Sequence, residues 1–231
     1  VKALGRLYEV FGAVGRPASV SGCPHCVEPG EEACLLSGPV SAIEAGSLAR
    51  YAAKALTTWG DVPEFRYFLP RLLECAAADA FSYPDPEIVL GKLAVAGWHD
   101  WPAAERTAVT AFLHEWWHDT LHRHPSRPLA DTVLCAVAAT GVDLAPFLDA
   151  WAGLESDAAI AHLHDFVTGG LSGQRLTNAF WDRDAPAHAQ VLAWLAGGPA
   201  ARAVEAAFAR ESREPVLGLL ADVHQALPPR S

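Results

Sequence analysis

Apolar residues return every third and fourth position along most of the chain, and β-branched residues almost nowhere alternate with polar ones. That period puts the apolar side chains on one face of an α-helix, so such a chain must bury a series of helical faces against one another. Alanine dominates many segments, and its helix propensity points the same way. Leu48, Tyr51, Ala52, Ala55, Leu56 and Trp59 illustrate the pattern. Ser47 is the expected N-cap of that helix and Gly60 its stop. Asp61 then caps the next helix, and Glu64 three residues on completes a capping box ahead of the Phe65, Phe68, Leu69, Leu72 and Leu73 stripe. Pro70 within that stripe marks a kink or a first turn.

Further helices follow. One ends near Gly97, and one opens after Asp100 and Pro102 and closes at Pro125. Others are expected over 129–140, 143–153, 156–168, 175–197 and 199–226, with Gly141, Gly153, Gly169–Gly170 and Gly197–Gly198–Pro199 between them. Short connections imply antiparallel neighbours. The expected fold is all-α: a single domain over 1–231, an irregular stack of helical hairpins similar to an α-solenoid. A Cys-, Pro- and Gly-rich segment at 14–46 is the exception, long and without periodicity, so it is either a mobile loop or is pinned by something.

Composition narrows the function classes. The 231 residues are 51% hydrophobic and 19% charged, which excludes a disordered chain. A formal net charge of −10, without any basic stripe, argues against nucleic acid and anionic membrane as partners. No apolar run is long enough to span a bilayer. The first residues, VKALGRLYEVFGAVG, read as an amphipathic helix rather than a signal peptide, so a cytoplasmic location with reduced thiols is expected.

The segment TTWGDVPEFRYFLPRLLE (Thr57 to Glu74) resembles a stretch of uncharacterised all-helical bacterial proteins that also carry a CPxC element near the N-terminus, here Cys23–Pro24–His25–Cys26. The resemblance implies an all-helical fold and brings no activity with it.

Three constellations carry candidate chemistry. The first is HEWWHDTLHRH, His114 to His124, which contains HExxH. In that motif two histidines one turn apart hold zinc and the glutamate acts as base, so a zinc-dependent hydrolase would use His114, Glu115 and His118. His124 stands where one class of zinc proteases places a third ligand, but Leu121 replaces the glycine that turns the chain there. At 100° per residue, Val109, Phe112, Leu113, Trp116 and Thr120 form the buried face, with Trp117 and Leu121 flanking it. His114, His118 and His122 then face water.

Second, CPHC lacks the preceding strand and following helix of a thiol oxidoreductase. Cys23 and Cys26 have the spacing of a structural zinc knuckle, with Cys34 or a distant histidine as further ligands, which would pin the irregular segment. Third, WHDW (Trp98 to Trp101), NAFWDRD (Asn178 to Asp184) and TTWGD set carboxylates beside tryptophans. Asp182 and Asp184 would serve as acid and base in a tryptophan-lined pocket. The plainer account is that Asp61, Asp100 and Asp184 cap helices while tryptophans fill gaps between them. With no convincing catalytic set, the reading that remains is a helical interaction or scaffold protein with a protein partner. Its rival is an enzyme or small-molecule binder.

Overall fold

The computed structural model describes residues 2–25, 27–28, 30–173 and 175–227. The fold is all-α: among the described residues are twelve α-helices and one two-stranded hairpin. No described helix is long and apolar enough to cross a membrane. Residue contacts gather the chain into two compact units, Val1–Glu115 and Trp116–Ser231.

The first unit holds α1 (Lys2–Phe11), α2 (Glu31–Leu35), α3 (Ala45–Lys54), α4 (Val62–Ala77), α5 (Pro86–Val95) and the start of α6 (Ala103–Leu121). Helix α4 is its centre, packed on α1, α3 and α5. Phe65, Phe68, Leu69, Leu72 and Leu73 are buried, as the stripe predicts. The capping box is present in full: Glu64 N donates to Asp61 Oδ1 and Asp61 N to Glu64 Oε2, both at 2.9 Å. Pro70 sits in the helix interior rather than at its first turn. Trp101 is buried, with Phe11 and Phe65 edge-on at 6.0 and 6.4 Å, and the Arg66 guanidinium lies 5.6 Å from its centroid. Arg66 also forms a two-pronged ion pair with buried Glu105.

Helix α3 departs from the expected bounds. It begins at Ala45, ahead of Ser47, and stops at Lys54. The carbonyl of Lys54 accepts from Thr57, Thr58 and Trp59 N–H at 3.1 to 3.2 Å, while Leu56 takes a positive φ of 64°. The chain doubles back in a tight turn, and Trp59 reaches the core from that turn instead of from a helix face.

The same turn pins the start of the irregular segment. Cys23 N donates to Thr58 O at 2.8 Å and Gly60 N to Ser21 O at 2.6 Å, which sets Gly22 opposite Trp59 in a short antiparallel bridge. A Cβ on Gly22 would lie 2.8 Å from Val27 Cγ2, so the close approach requires glycine. Glu64 accepts twice more, from Ser21 N at 3.0 Å and from Ser21 Oγ at 3.1 Å. One carboxylate therefore caps α4 and ties down the loop.

The second unit holds the end of α6, then α7 (Ala130–Ala139), α8 (Ala145–Ala152), α9 (Asp157–Gly169), β1 (Leu171–Ser172), β2 (Arg175–Leu176), α10 (Pro186–Ala196), α11 (Pro199–Arg210) and α12 (Glu214–Ala226). Helix α9 packs on α12, α7 and β1, and α11 on α8, α10 and α12. The core is aromatic. Trp117 and Phe166 meet Trp151 edge-on at 5.3 Å, and Trp194 stacks on it at 5.5 Å. The buried indoles of Trp117 and Trp151 donate to Phe147 O and Ala159 O, at 2.9 and 3.0 Å.

Two expected helices break. The 175–197 span opens with the hairpin and becomes helical only at Pro186. Asn178 Oδ1 accepts from Phe180 N and Asp182 Oδ1 from Asp184 N, at 2.9 and 3.0 Å, so these side chains bond their own backbone two residues on, which competes with helix. The 199–226 span divides at 211–213, where Glu211 Oε1 accepts from the amides of Ser212 and Arg213, both at 2.8 Å. Gly169–Gly170, expected to separate two helices, end α9 and lead into the hairpin, with Gly173 at a positive φ of 63° in its turn.

Candidate functional site

On α6 the wheel holds: Val109, Phe112, Leu113, Trp116 and Thr120 are buried, and His114, His118 and His122 are exposed. Trp117 and Leu121 are buried as well, so the apolar face is wider than the stripe alone. The glutamate of HExxH has a different occupation. Glu115 Oε2 accepts the amide of Ala3 at 3.0 Å, at the start of α1. Burial acts to raise its pKa, but the hydrogen bonds it accepts, those of Ala3 and Lys2 among them, outweigh burial and hold it below the usual carboxylate range. It serves as a cap for α1.

The histidines also have local partners. The rings of His118 and His122 stack at 4.1 Å, and His122 Nδ1–H donates to His118 O at 2.8 Å. His124 leaves the row altogether, because α6 ends at Leu121 and does not run on to Pro125. The helix end is captured by His162 of α9, whose Nε2–H is shared between Thr120 O and Arg123 O at 3.0 and 2.9 Å.

Among the described residues, no three His, Cys, Asp or Glu side chains gather as metal ligands. Cys23 is half-buried and Cys34 exposed, while Cys26 lies outside the described residues. All eight tryptophans are buried and belong to the cores. Asp182 and Asp184 are exposed, and the first holds the amide of the second in a turn. Of the three expected caps, Asp61 makes its bond, Asp100 closes a short 3-10 turn over Trp98–Asp100, and α10 starts from Ala185, one residue past Asp184, with no side-chain cap.

The residues that do come together lie in the second unit; the cleft's lining stood in none of the three constellations, but His124, Asn178 and Trp181, which bond to it, did. A cleft of about 240 Å³ is lined by Leu129, Ala130 and Asp131 at the start of α7, by His162, Asp165 and Phe166 of α9, by Gly169 and Gly170 at its end, and by Thr177. Asp165 is the hub of one side, accepting from His124 Nε2 at 2.8 Å and His164 Nδ1 at 3.3 Å. Its partial burial acts to raise the pKa, but these bonds prevail and hold the carboxyl below its ordinary value. His162 is buried, and that burial pushes its pKa down against the two carbonyl bonds, so the neutral ring is favoured.

Asp131 forms the other side. Its Oδ1 accepts from Trp181 Nε1 at 3.2 Å, and Asn178 donates to it as well. Burial pushes the Asp131 carboxyl up from its ordinary value, and these neutral donors offset only part of the shift. Leu129, at 61% exposure, stands at the rim. The signal in the sequence was the HLHD run at 162–165, polar residues interrupting an otherwise apolar helix pattern. A larger depression of about 370 Å³, lined by Glu205, Phe208, Ala221, His224 and Gln225, is shallow. Compared with known proteins, the chain matches no family model, no curated protein and no solved structure.

Proposed function

We propose that this chain is a helical interaction module and that the cleft of the second unit grips a protein partner. The observation that supports this reading most is the state of the groups lining the cleft. His162 and Asp165 are committed to bonds that hold the surrounding segments in place, which favours a preformed receptor over a set of reacting groups. Size agrees: about 240 Å³ lies below the roughly 300–1,000 Å³ of pockets that enclose whole small ligands, and suits one inserted side chain. The exposed Leu129 gives the rim an apolar contact for the rest of a partner segment. A net charge of −10 favours a protein over a nucleic acid, and the buried thiols of Cys75 and Cys135 suit a cytoplasmic setting.

The test is peptide selection on the purified chain, followed by mapping of the selected peptides through backbone amide shifts. The expected shifts fall at 129–131, 165–170 and 177, and a Thr177→Trp variant that fills the cleft loses binding. Peptides that bind this variant unchanged, or that shift only residues elsewhere, refute the reading.

A further inference from the structure

We infer that the cleft selects a basic side chain, a lysine or arginine of the partner segment, and seats its cationic end against Asp131. This rests on the interaction reading and specifies its chemistry. Asp131 is a half-buried carboxylate facing a cleft, hydrogen-bonded by the neutral donors Trp181 and Asn178. Among the described residues it takes part in no ion pair. A carboxylate withdrawn from water without a counter-ion is costly, and an incoming cation removes that cost.

The remaining walls suit the same guest. Asp165 is already held by His124 and His164, so Asp131 is the carboxylate left for the guest. His162 donates through Nε2 to two carbonyls, and its favoured neutral state adds no positive charge to the cleft. The C-terminal end of α9, at Gly169 and Gly170, presents the negative end of a helix dipole of about half a charge. The opposite, positive end of α7 is already answered by Asp131 in its first turn. Phe166 and Leu129 supply apolar surface along which the methylenes of a lysine or arginine stem can lie, with the charge at the tip. A free alkylamine shares the cationic tip, but it leaves the exposed Leu129 without a partner.

The experiment measures short fluorescent peptides carrying one lysine, arginine, norleucine or glutamate between apolar residues, against the full chain and its Asp131→Asn variant. Asparagine keeps an acceptor for Trp181, so the loop stays in place while the charge is lost; an unchanged melting temperature verifies this. The lysine and arginine peptides are expected to bind about tenfold or more tightly than the norleucine peptide. That advantage disappears in Asp131→Asn and shrinks with added salt. Equal binding of lysine and norleucine peptides, or a lysine preference that survives in Asp131→Asn, overturns the inference. Should the variant prove unstable, the peptide series on the unaltered chain decides alone. n-Butylammonium binding as tightly as the lysine peptide also overturns it, since the guest would then be a free amine. Peptides that occupy the cleft with no preference for a cation leave the interaction reading standing while the charge assignment fails. Failure of every peptide to reach the cleft removes both.

Discussion

Replacing Glu64 with alanine tests how the Cys-rich loop is held. The side chain accepts three hydrogen bonds from two places: the Asp61 amide at the head of α4, and the Ser21 amide and hydroxyl in the loop. Loss of a helix cap costs about 1 kcal/mol. The two Ser21 bonds go to a charged acceptor, which raises their worth to about 1.5–3 kcal/mol each when buried. Here water reaches them, so together they are discounted to about 1 kcal/mol. The expected total is about 2 kcal/mol, a fall in melting temperature of roughly 5–10 °C for a unit of this size. Thiol labelling is the more pointed assay. Cys23 is half-buried beside the bridge to Thr58, whereas Cys34 is exposed and reports the unhindered rate. Glu64→Ala should speed Cys23 labelling by about fivefold, as expected for about 1 kcal/mol of local opening, and leave Cys34 unchanged. A chelator should alter neither rate. Faster Cys23 labelling with chelator, together with an unaltered rate in Glu64→Ala, would refute the reasoning and restore the zinc knuckle through Cys23 and Cys26.

Three further outcomes are expected. Glu115→Ala should cost about 1 kcal/mol and remove hydrogen-exchange protection from the first turn of α1, because its carboxylate accepts the Ala3 amide; unchanged protection there contradicts the capping role. His162 has a folded pKa below its unfolded value of about 6.5, so its contribution is complete above that pH and is lost as the pH falls from there toward the folded value. A melting series from about pH 7.5 to about pH 5 should therefore show a steeper loss in the native chain than in His162→Asn, and parallel slopes count against this assignment. Trp151→Ala, at a fully buried position in contact with three aromatic rings, should destabilise the second unit by about 3–5 kcal/mol in urea unfolding, and a loss below about 1 kcal/mol contradicts the packing account.

The parts of the fold that were legible in the sequence are those set by local rules. The capping box at Asp61 and Glu64 and the buried face of α6 depend on residues three or four apart, and both are present in full. Where a side chain bonded its own backbone, periodicity misled: Asn178, Asp182 and Glu211 interrupt spans whose apolar spacing reads as continuous helix. Trp59 is in register with α3 yet enters the core from a turn. The cleft was hidden for another reason. Asp131, His162, Asp165 and Trp181 are dispersed over fifty residues of sequence, and only the packing of α7 on α9 and the fold of the 178–181 turn make them neighbours. HExxH is the reverse case: a pattern strong in one dimension lies on an exposed face, as the wheel predicts, with its glutamate engaged by α1.

The indole N–H of Trp181 donates to Asp131 Oδ1, so its NMR resonance reads the carboxylate that the account places against the partner. Titrating the chain with the lysine peptide should move this resonance in a saturable manner, and the norleucine peptide should move it little. A Trp181 signal that stays fixed while the lysine peptide binds would contradict the claim that Asp131 is where the partner is held.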